Sequence, residues 1–318
     1  MARVLSQGER SRFATGWAFL FPSRSLALGM DLLGEEAREA VRRALQEDLG
    51  QGDVTSGGFL PKGLSCRAAI SAKEKGVVCG LPVAQAVFLE LSREGLDLEW
   101  ACKEGEVVEA GTTILSVSGP AAQVLAGERT ALNFLQHLSG IATTTRHFVE
   151  RIEGTGVRLL DTRKTHAGLR SLEKYAVRCG GGANHRVSLG DHVLVKDNHL
   201  ALLKAAYPGS WLKELGLQVE RIRHQRPLVR VEVEAQSLEE VAELRSLPLD
   251  LLLLDNMSVE ELQRAVHIVD GRMRLEASGG VTLENIRAIA ETGVDFISVG
   301  ALTHSAKAMD FSLRVTVP

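Results

Sequence analysis

The chain has 318 residues, 45% of them hydrophobic and 24% charged, with a formal net charge of −3. That length permits one large domain or two ordinary ones, and the near-neutral balance excludes a general affinity for nucleic acid, so any basic site is local. Cys66, Cys79, Cys102 and Cys179 are scattered with no C-x-x-C pair, which fits a reducing, cytoplasmic setting better than a disulfide framework or a zinc site.

The opening MARVLSQGERSRFATGWAFLFPSRSLALGM holds Arg3, Arg10, Arg12 and Arg24 against Glu9 alone, a superficial likeness to a transit peptide. Its apolar piece GWAFLF is too short for a signal peptide and runs into Pro22 and Arg24. The preferred expectation is a dispensable, disordered extension over 1–30, with the natural start at Met30. From Asp31 the spacing of Ala37, Ala40, Val41 and Leu45 predicts a helix that stops at Gly50. Residues from about 64 to 118 read as β, in short Val-, Ile- and Thr-rich runs broken by glycines. A long helical pattern over 128–152 looks like a connector between two domains. No apolar run approaches bilayer length; the longest, LDLLLLDN at 249–256, is strand-sized.

Beyond the connector, VRLLDT, DHVLVKDN, LVRVEVEA, LDLLLLDN, MRLEASGG and VDFISVGA read as strands, apolar throughout. Helical stretches SLEEVAELRSL, SVEELQRAVHI and TLENIRAIAETG separate the later ones. This alternation predicts a parallel sheet covered by helices, an incomplete barrel of about six strands. Each run ends in polar residues: Asp161–Thr162–Arg163–Lys164, Lys196–Asp197–Asn198, Glu234, Asp255–Asn256, Ser278–Gly279–Gly280 and Gly300. Active sites of parallel α/β barrels lie at that end of the sheet, and six polar ends in succession imply one shared site.

Sorted by chemistry, Arg163, Lys164, His185, Arg186 and Lys196 come first and suit a ligand with more than one anionic group. Arg170, Lys174 and Arg178, at i, i+4 and i+8, are expected to form an exposed helical ridge. Glu234 and Asp255 end consecutive strands and are expected side by side, where hard oxygen ligands would suit Mg²⁺. Glu232 shares a face with Glu234, so spacing does not rank the two acids. The glycines after the last strands fit a phosphate-binding loop. There is no Ser–His–Asp arrangement, metal-binding histidine pair or P-loop; the site looks electrostatic.

At DTRKT, GLRSLEKYAVRCGGGANHR and VKDNH the sequence resembles the quinolinate phosphoribosyltransferase family, and ALQEDLGQGDVTS, ERTALNFLQHLSGIAT, VEVE, LLLLDNM, EASGG and ISVGALTHS extend the resemblance from about Leu33 onward. It implies an α/β protein with an N-terminal α/β sandwich domain (31–128, with 306–318 packing back on it) and an open α/β barrel (129–305). It implies transfer of phosphoribose from 5-phosphoribosyl-1-pyrophosphate to quinolinate, with release of CO₂ and pyrophosphate and formation of nicotinate mononucleotide for NAD biosynthesis. It further implies Mg²⁺ as cofactor and a homodimer or larger assembly, without nucleic-acid or membrane partners.

Residue by residue, the resemblance implies that Arg129, Arg163, His185, Arg186 and Lys196 hold the quinolinate carboxylates, with Arg129 supplied by a neighbouring subunit. Lys164 is implied at the donor, Glu234 and Asp255 at its ribose and Mg²⁺, and Ser278, Gly279, Gly280 and Gly300 at its phosphate. Lys164, Lys196, Glu234 and Asp255 are the expected catalytic set, Lys196 nearest the carboxylate that is lost. The sequence departs from the family at His166–Ala167, where a Pro often precedes the Gly. A relative acting on nicotinate, a non-catalytic homologue and a generic phosphate-binding barrel such as an aldolase or isomerase are the rivals. The cation set argues against the first, the presence of Lys164, Glu234 and Asp255 against the second, and cage and acids together against the third.

Overall fold

The computed structural model describes residues 34–92 and 95–316; the expected extension over 1–30 and the start at Met30 lie outside them. Helix α1 (Glu35–Leu49) buries Ala37, Ala40, Val41 and Leu45 and ends at Gly50, whose φ of 50° suits glycine. Helix α2 (Val54–Phe59) is capped by Asp53, whose carboxylate accepts the N–H groups of Thr55 and Ser56.

Next come β1 (Ser65–Ala72), β2 (Gly76–Val77), α3 (Leu81–Leu91), β3 (Asp97–Trp100), β4 (Val107–Val108) and β5 (Thr113–Pro120). The expectation of β structure throughout 64–118 fails at α3. LPVAQAVFLEL is buried almost all round, so it carries no amphipathic period to betray a helix. Its first N–H groups, on Gly80 and Leu81, donate to the Glu104 carboxylate, which also accepts the Tyr175 hydroxyl at 2.8 Å.

The connector is α4 (Ala121–Arg151), 31 residues long, so the boundary at 128/129 falls inside a continuous helix. Strand β6 (Arg158–Leu160) and helix α5 (Arg170–Cys179) come after it, then β7 (Val193–Val195), α6 (Asp197–Ala206), α7 (Trp211–Gln225), β8 (Val231–Ala235), α8 (Leu238–Leu244), β9 (Leu251–Asp255), α9 (Val259–Val269), β10 (Arg274–Ser278), α10 (Ile286–Ala290), β11 (Phe296–Ser298), α11 (Ala301–His304) and β12 (Phe311–Thr316). Ser237 and Ser258 cap α8 and α9, and Ser258 pairs with Glu261 in a capping box.

One sheet is antiparallel, in the order β12-β1-β5-β3, so the last strand returns to the N-terminal half. A second has six parallel strands in the order β6-β11-β10-β9-β8-β7, and β2 and β4 pair as a short antiparallel ribbon. The six-stranded sheet is the expected open parallel barrel. The strands first and second in sequence, β6 and β7, sit at opposite edges and leave a seam.

The expected strands that are apolar throughout are corrected by the alternation of faces. Val231, Val233, Leu252, Leu254, Leu275, Ala277 and Ile297 belong to the large core shared with the helices. The opposite face is mixed: Leu160, Ala183, Leu251 and Phe296 form a small inner cluster, while Glu232, Glu234, Glu276 and Ser298 are buried polar residues. The inside of the barrel is therefore partly charged.

Candidate active site

Residues 182–184 run alongside β6 at the seam. Ala183 bridges Leu160 in parallel fashion, its N–H bonding Leu159 O at 2.9 Å and its carbonyl accepting from Asp161 N–H at 3.1 Å. The glycine run explains how the chain reaches this place. A Cβ on Gly180 would lie 2.4 Å from Ala142 O, and one on Gly182 2.8 Å from a Val177 methyl, so the backbone packs directly against its neighbours. Gly181 adds a φ of 96°, which L side chains rarely adopt.

Buried Asp161 then fixes the chain just beyond the seam. It pairs with Lys174 and accepts from His185 N–H at 2.8 Å and from the Asn184 amide at 2.6 Å, while Lys174 also donates to His185 O at 3.1 Å. Burial pushes the Asp161 carboxyl up and the Lys174 ammonium down, each offset by the other's charge. The expected exposed ridge of Arg170, Lys174 and Arg178 is thus wrong at its centre. Lys174 is 1% exposed and structural, whereas Arg178 is exposed and bonds Asn184 over the Tyr175 ring.

His185 points into the barrel. Its Nε2 lies 3.1 Å from Glu232 and 3.4 Å from Glu276, and its Nδ1 accepts the Arg186 N–H at 2.8 Å. Burial opposes charge on the ring while Glu276 and Glu232 raise its pKa; Nδ1, used as an acceptor, keeps a second proton away in this arrangement. His192 Nε2 lies 2.8 Å from the same Glu232 oxygen. Burial alone would raise Glu232, but these two imidazoles draw it well below the usual carboxylate range, whereas burial and the neighbouring Glu232 push Glu276 up.

Glu232 and Glu234, unranked by spacing, therefore differ in surroundings. Glu232 is sealed beneath the histidines; Glu234, nearer the strand end, faces Lys196 at 3.7 Å. Burial, Asp255 and Asp197 raise the Glu234 carboxyl, with Lys196 opposing. Asp255 is not level with Glu234, as expected from the strand ends, but two residues farther toward the mouth, because Glu234 is in register with Leu253. Ser278 is in register with Asp255.

Arg186 is lowered by burial and by the charge of Arg163, so two guanidiniums share one region. The Arg163 Nε is buried and meets no partner among the described residues. Lys164 lies against Gly300, where a Cβ would come within 3.0 Å of the lysine chain, and its carbonyl accepts the Thr303 hydroxyl at 2.8 Å. Gly279 is required: a Cβ there would lie 2.2 Å from Asn256 Oδ1, and its φ is 91°. The Gly279–Gly280 turn precedes α10 by several residues and so is not at that helix's first turn. Arg129 is exposed on α4.

Sequence reasoning missed Glu276, Asp161, Lys174 and His192 as the supports of this site. The parity of Glu232, Glu234 and Glu276 with inward-facing Leu251 and Phe296 is the signal that could have found the acids.

Cations gathered at one side of a barrel mouth, oxygen acids at the other and glycine turns beside them define an α/β barrel enzyme for phosphorylated, polyanionic substrates. Residues 53–139 match the N-terminal domain and residues 141–314 the C-terminal domain of quinolinate phosphoribosyl transferase. The chain belongs to that family. It is 41% identical over 284 residues to a nicotinate-nucleotide pyrophosphorylase [carboxylating] of Mycobacterium leprae, covering 88% of this chain and 97% of that protein. It is 39% identical to a mitochondrial quinolinate phosphoribosyltransferase [decarboxylating] of Nicotiana tabacum, covering 88% and 82%. The solved nicotinate-nucleotide pyrophosphorylase of Francisella tularensis superposes with a TM-score of 0.80 at 38% identity, covering 91% and 98%.

Proposed function

We propose that this enzyme transfers the phosphoribosyl group of 5-phosphoribosyl-1-pyrophosphate to the ring nitrogen of quinolinate and releases CO₂ and pyrophosphate, forming nicotinate mononucleotide for NAD biosynthesis. Family membership over both domains supports the reaction. The observation that carries the substrate is the closeness of Arg163 to Arg186, whose pKa is lowered by burial and by that neighbouring charge. Such an arrangement suits a dicarboxylate, whose adjacent carboxylates accept both forks.

In this reading Arg163, Arg186 and Lys196 hold the carboxylates, and His185 contributes by fixing Arg186 through its N–H. Lys196 is nearest the carboxylate that leaves. Lys164 and the turns at Ser278–Gly280 and Gly300 receive the donor's phosphates. Breaking the C1–O bond builds positive charge on the ribose, which Glu234 and Asp255 stabilise. Their carboxylate oxygens are also the donor type that Mg²⁺ prefers, and the like charges that raise Glu234 are those a cation relieves. When bound there, Mg²⁺ would neutralise the departing pyrophosphate. Exposed Arg129 is assigned to the mouth of a second copy in a homodimer.

The cytoplasm is the proposed compartment, on the strength of four unpaired cysteines; among the described residues no helix is long and apolar enough to cross a membrane. Because the tobacco relative is named as mitochondrial, cell fractionation decides the compartment.

The deciding assay offers quinolinate, the donor and Mg²⁺ and follows CO₂ and nicotinate mononucleotide, with nicotinate in parallel. Product from quinolinate alone is expected. Product from nicotinate alone would overturn the dicarboxylate assignment while keeping the donor site, and silence in both from folded protein would favour a non-catalytic homologue.

A further inference from the structure

The sequence has no histidine pair at metal-binding spacing, but the fold makes one. Glu173, fully buried on α5, presents Oε1 to two imidazoles from distant parts of the chain. His137 Nε2, from α4, lies 2.8 Å away, and His166 Nδ1, from the loop after Lys164, lies 2.6 Å away. Oε2 accepts the His166 N–H at 3.2 Å, and the rings meet edge to face with centroids 5.1 Å apart. One ligand atom from each of the three residues lies within 4.8 Å of the others.

Hydrogen bonding alone would satisfy a buried carboxylate, and one donor per oxygen would do. Here two imidazoles converge on one oxygen from one side. The result is two nitrogens and one carboxylate from three separate segments, the donor set of open zinc sites that keep a position for water. Solvent reaches it because the His166 side chain is 53% exposed. Among the described residues, two other clusters of similar composition are already committed. Around Glu232, His185 Nδ1 accepts a backbone N–H and the group is closed. Around Cys79 and Cys179, both Glu104 oxygens are taken by N–H and hydroxyl donors.

We propose that His137, His166 and Glu173 bind a divalent late first-row ion of the zinc class. Metal–ligand distances of about 2.0–2.1 Å in tetrahedral geometry set ligands roughly 3.3 Å apart, so the His137 contact of 2.8 Å opens by about 0.5 Å and the His166 contact of 2.6 Å by about 0.7 Å, the latter within the swing of an exposed side chain. Imidazole nitrogens favour zinc, cobalt, nickel or copper over Mg²⁺, which keeps this site chemically apart from the oxygen donors of Glu234 and Asp255. An ion there ties the loop that carries Arg163 and Lys164 to α4.

The test uses metal-stripped full-length protein in saturating Mg²⁺, titrated with Co²⁺ by visible absorption and with Zn²⁺ by equilibrium dialysis. One ion per chain is expected. Outer-shell changes cost metal sites about 10–100-fold, so loss of a ligand in His166→Ala or His137→Gln is expected to cost more than that. Zn²⁺ should raise the thermal midpoint of the wild type and not of His166→Ala, whose exposed position keeps the fold intact. Absence of the cobalt band at micromolar ion would overturn the site, as would a band undiminished in either variant, which places the ion elsewhere.

Discussion

On one side of the barrel mouth, β8, β9 and β10 deliver Glu234, Asp255 and Ser278 from the last residues of regular parallel strands. On the other, β6 and β7 never pair, and Arg163, His185 and Arg186 come from irregular chain just beyond β6 and its Leu160–Ala183 bridge. The regular side is positioned by backbone ladders that tolerate side-chain change. The seam side hangs on one buried ion pair, so its geometry is concentrated in Asp161 and Lys174. Two ways of aiming charge into one pocket thus differ in what breaks them.

The sharpest break is Asp161→Asn, which leaves Lys174 buried without its counter-charge. A loss of about 3–5 kcal/mol in urea unfolding is expected, and a loss below 1 kcal/mol would show the seam to be held otherwise. On the regular side, Glu234→Gln should lower kcat by roughly 10²-fold with little change in thermal midpoint. Glu232→Gln should instead lower stability by about 1.5–3 kcal/mol, since it weakens bonds to two buried imidazoles. Matching kinetic losses in both variants would erase the distinction between the two acids.

Arg163→Ala is expected to weaken quinolinate binding by about 10–100-fold and donor binding far less, from the strength of charged hydrogen bonds; equal losses in calorimetry would remove it from the carboxylate cage. A smaller effect concerns pH. Glu276 has a folded-state pKa above its ordinary 4.5, so the folded protein holds a proton that the unfolded chain releases. Its contribution is full below that value and declines as pH rises through the folded pKa, and Glu276→Gln should flatten that decline in denaturation midpoints measured upward from pH 4.5. Smallest is Arg178→Ala, the exposed end of the ridge, where a change of about 1 kcal/mol or less is expected.

The same division governed what the sequence could disclose. The strand ends on the regular side come from period and position, so the six-stranded open barrel and the address of Glu234, Asp255 and Gly300 were readable from texture alone. In the seam, the motif block singled out Arg163, His185 and Arg186 through family resemblance, yet Lys174 was misplaced as solvent-facing. Helical spacing shows which residues share a face but not which face is inside; only a partner 13 residues away, Asp161, makes burial of a lysine tolerable. The burial of Glu232 and Glu276 was hidden for a related reason. Acids inside a barrel contradict the apolar pattern by which buried strands are recognised, and their tolerance depends on His185 and His192 arriving from outside the strand. Helix α3 escaped because a helix buried on all sides has no polar stripe.

The return of β12 to β1 bears on how the protein is made. Synthesis proceeds from the N-terminus, so all six barrel strands are made before residues 311–316 exist. Until then β1 is an unpaired edge carrying Ala68, Ile70 and Ala72 in its alternating buried positions, a template for unwanted strand addition. The first sheet begun is thus the last completed, and the nascent chain depends on whatever shields that edge during the interval.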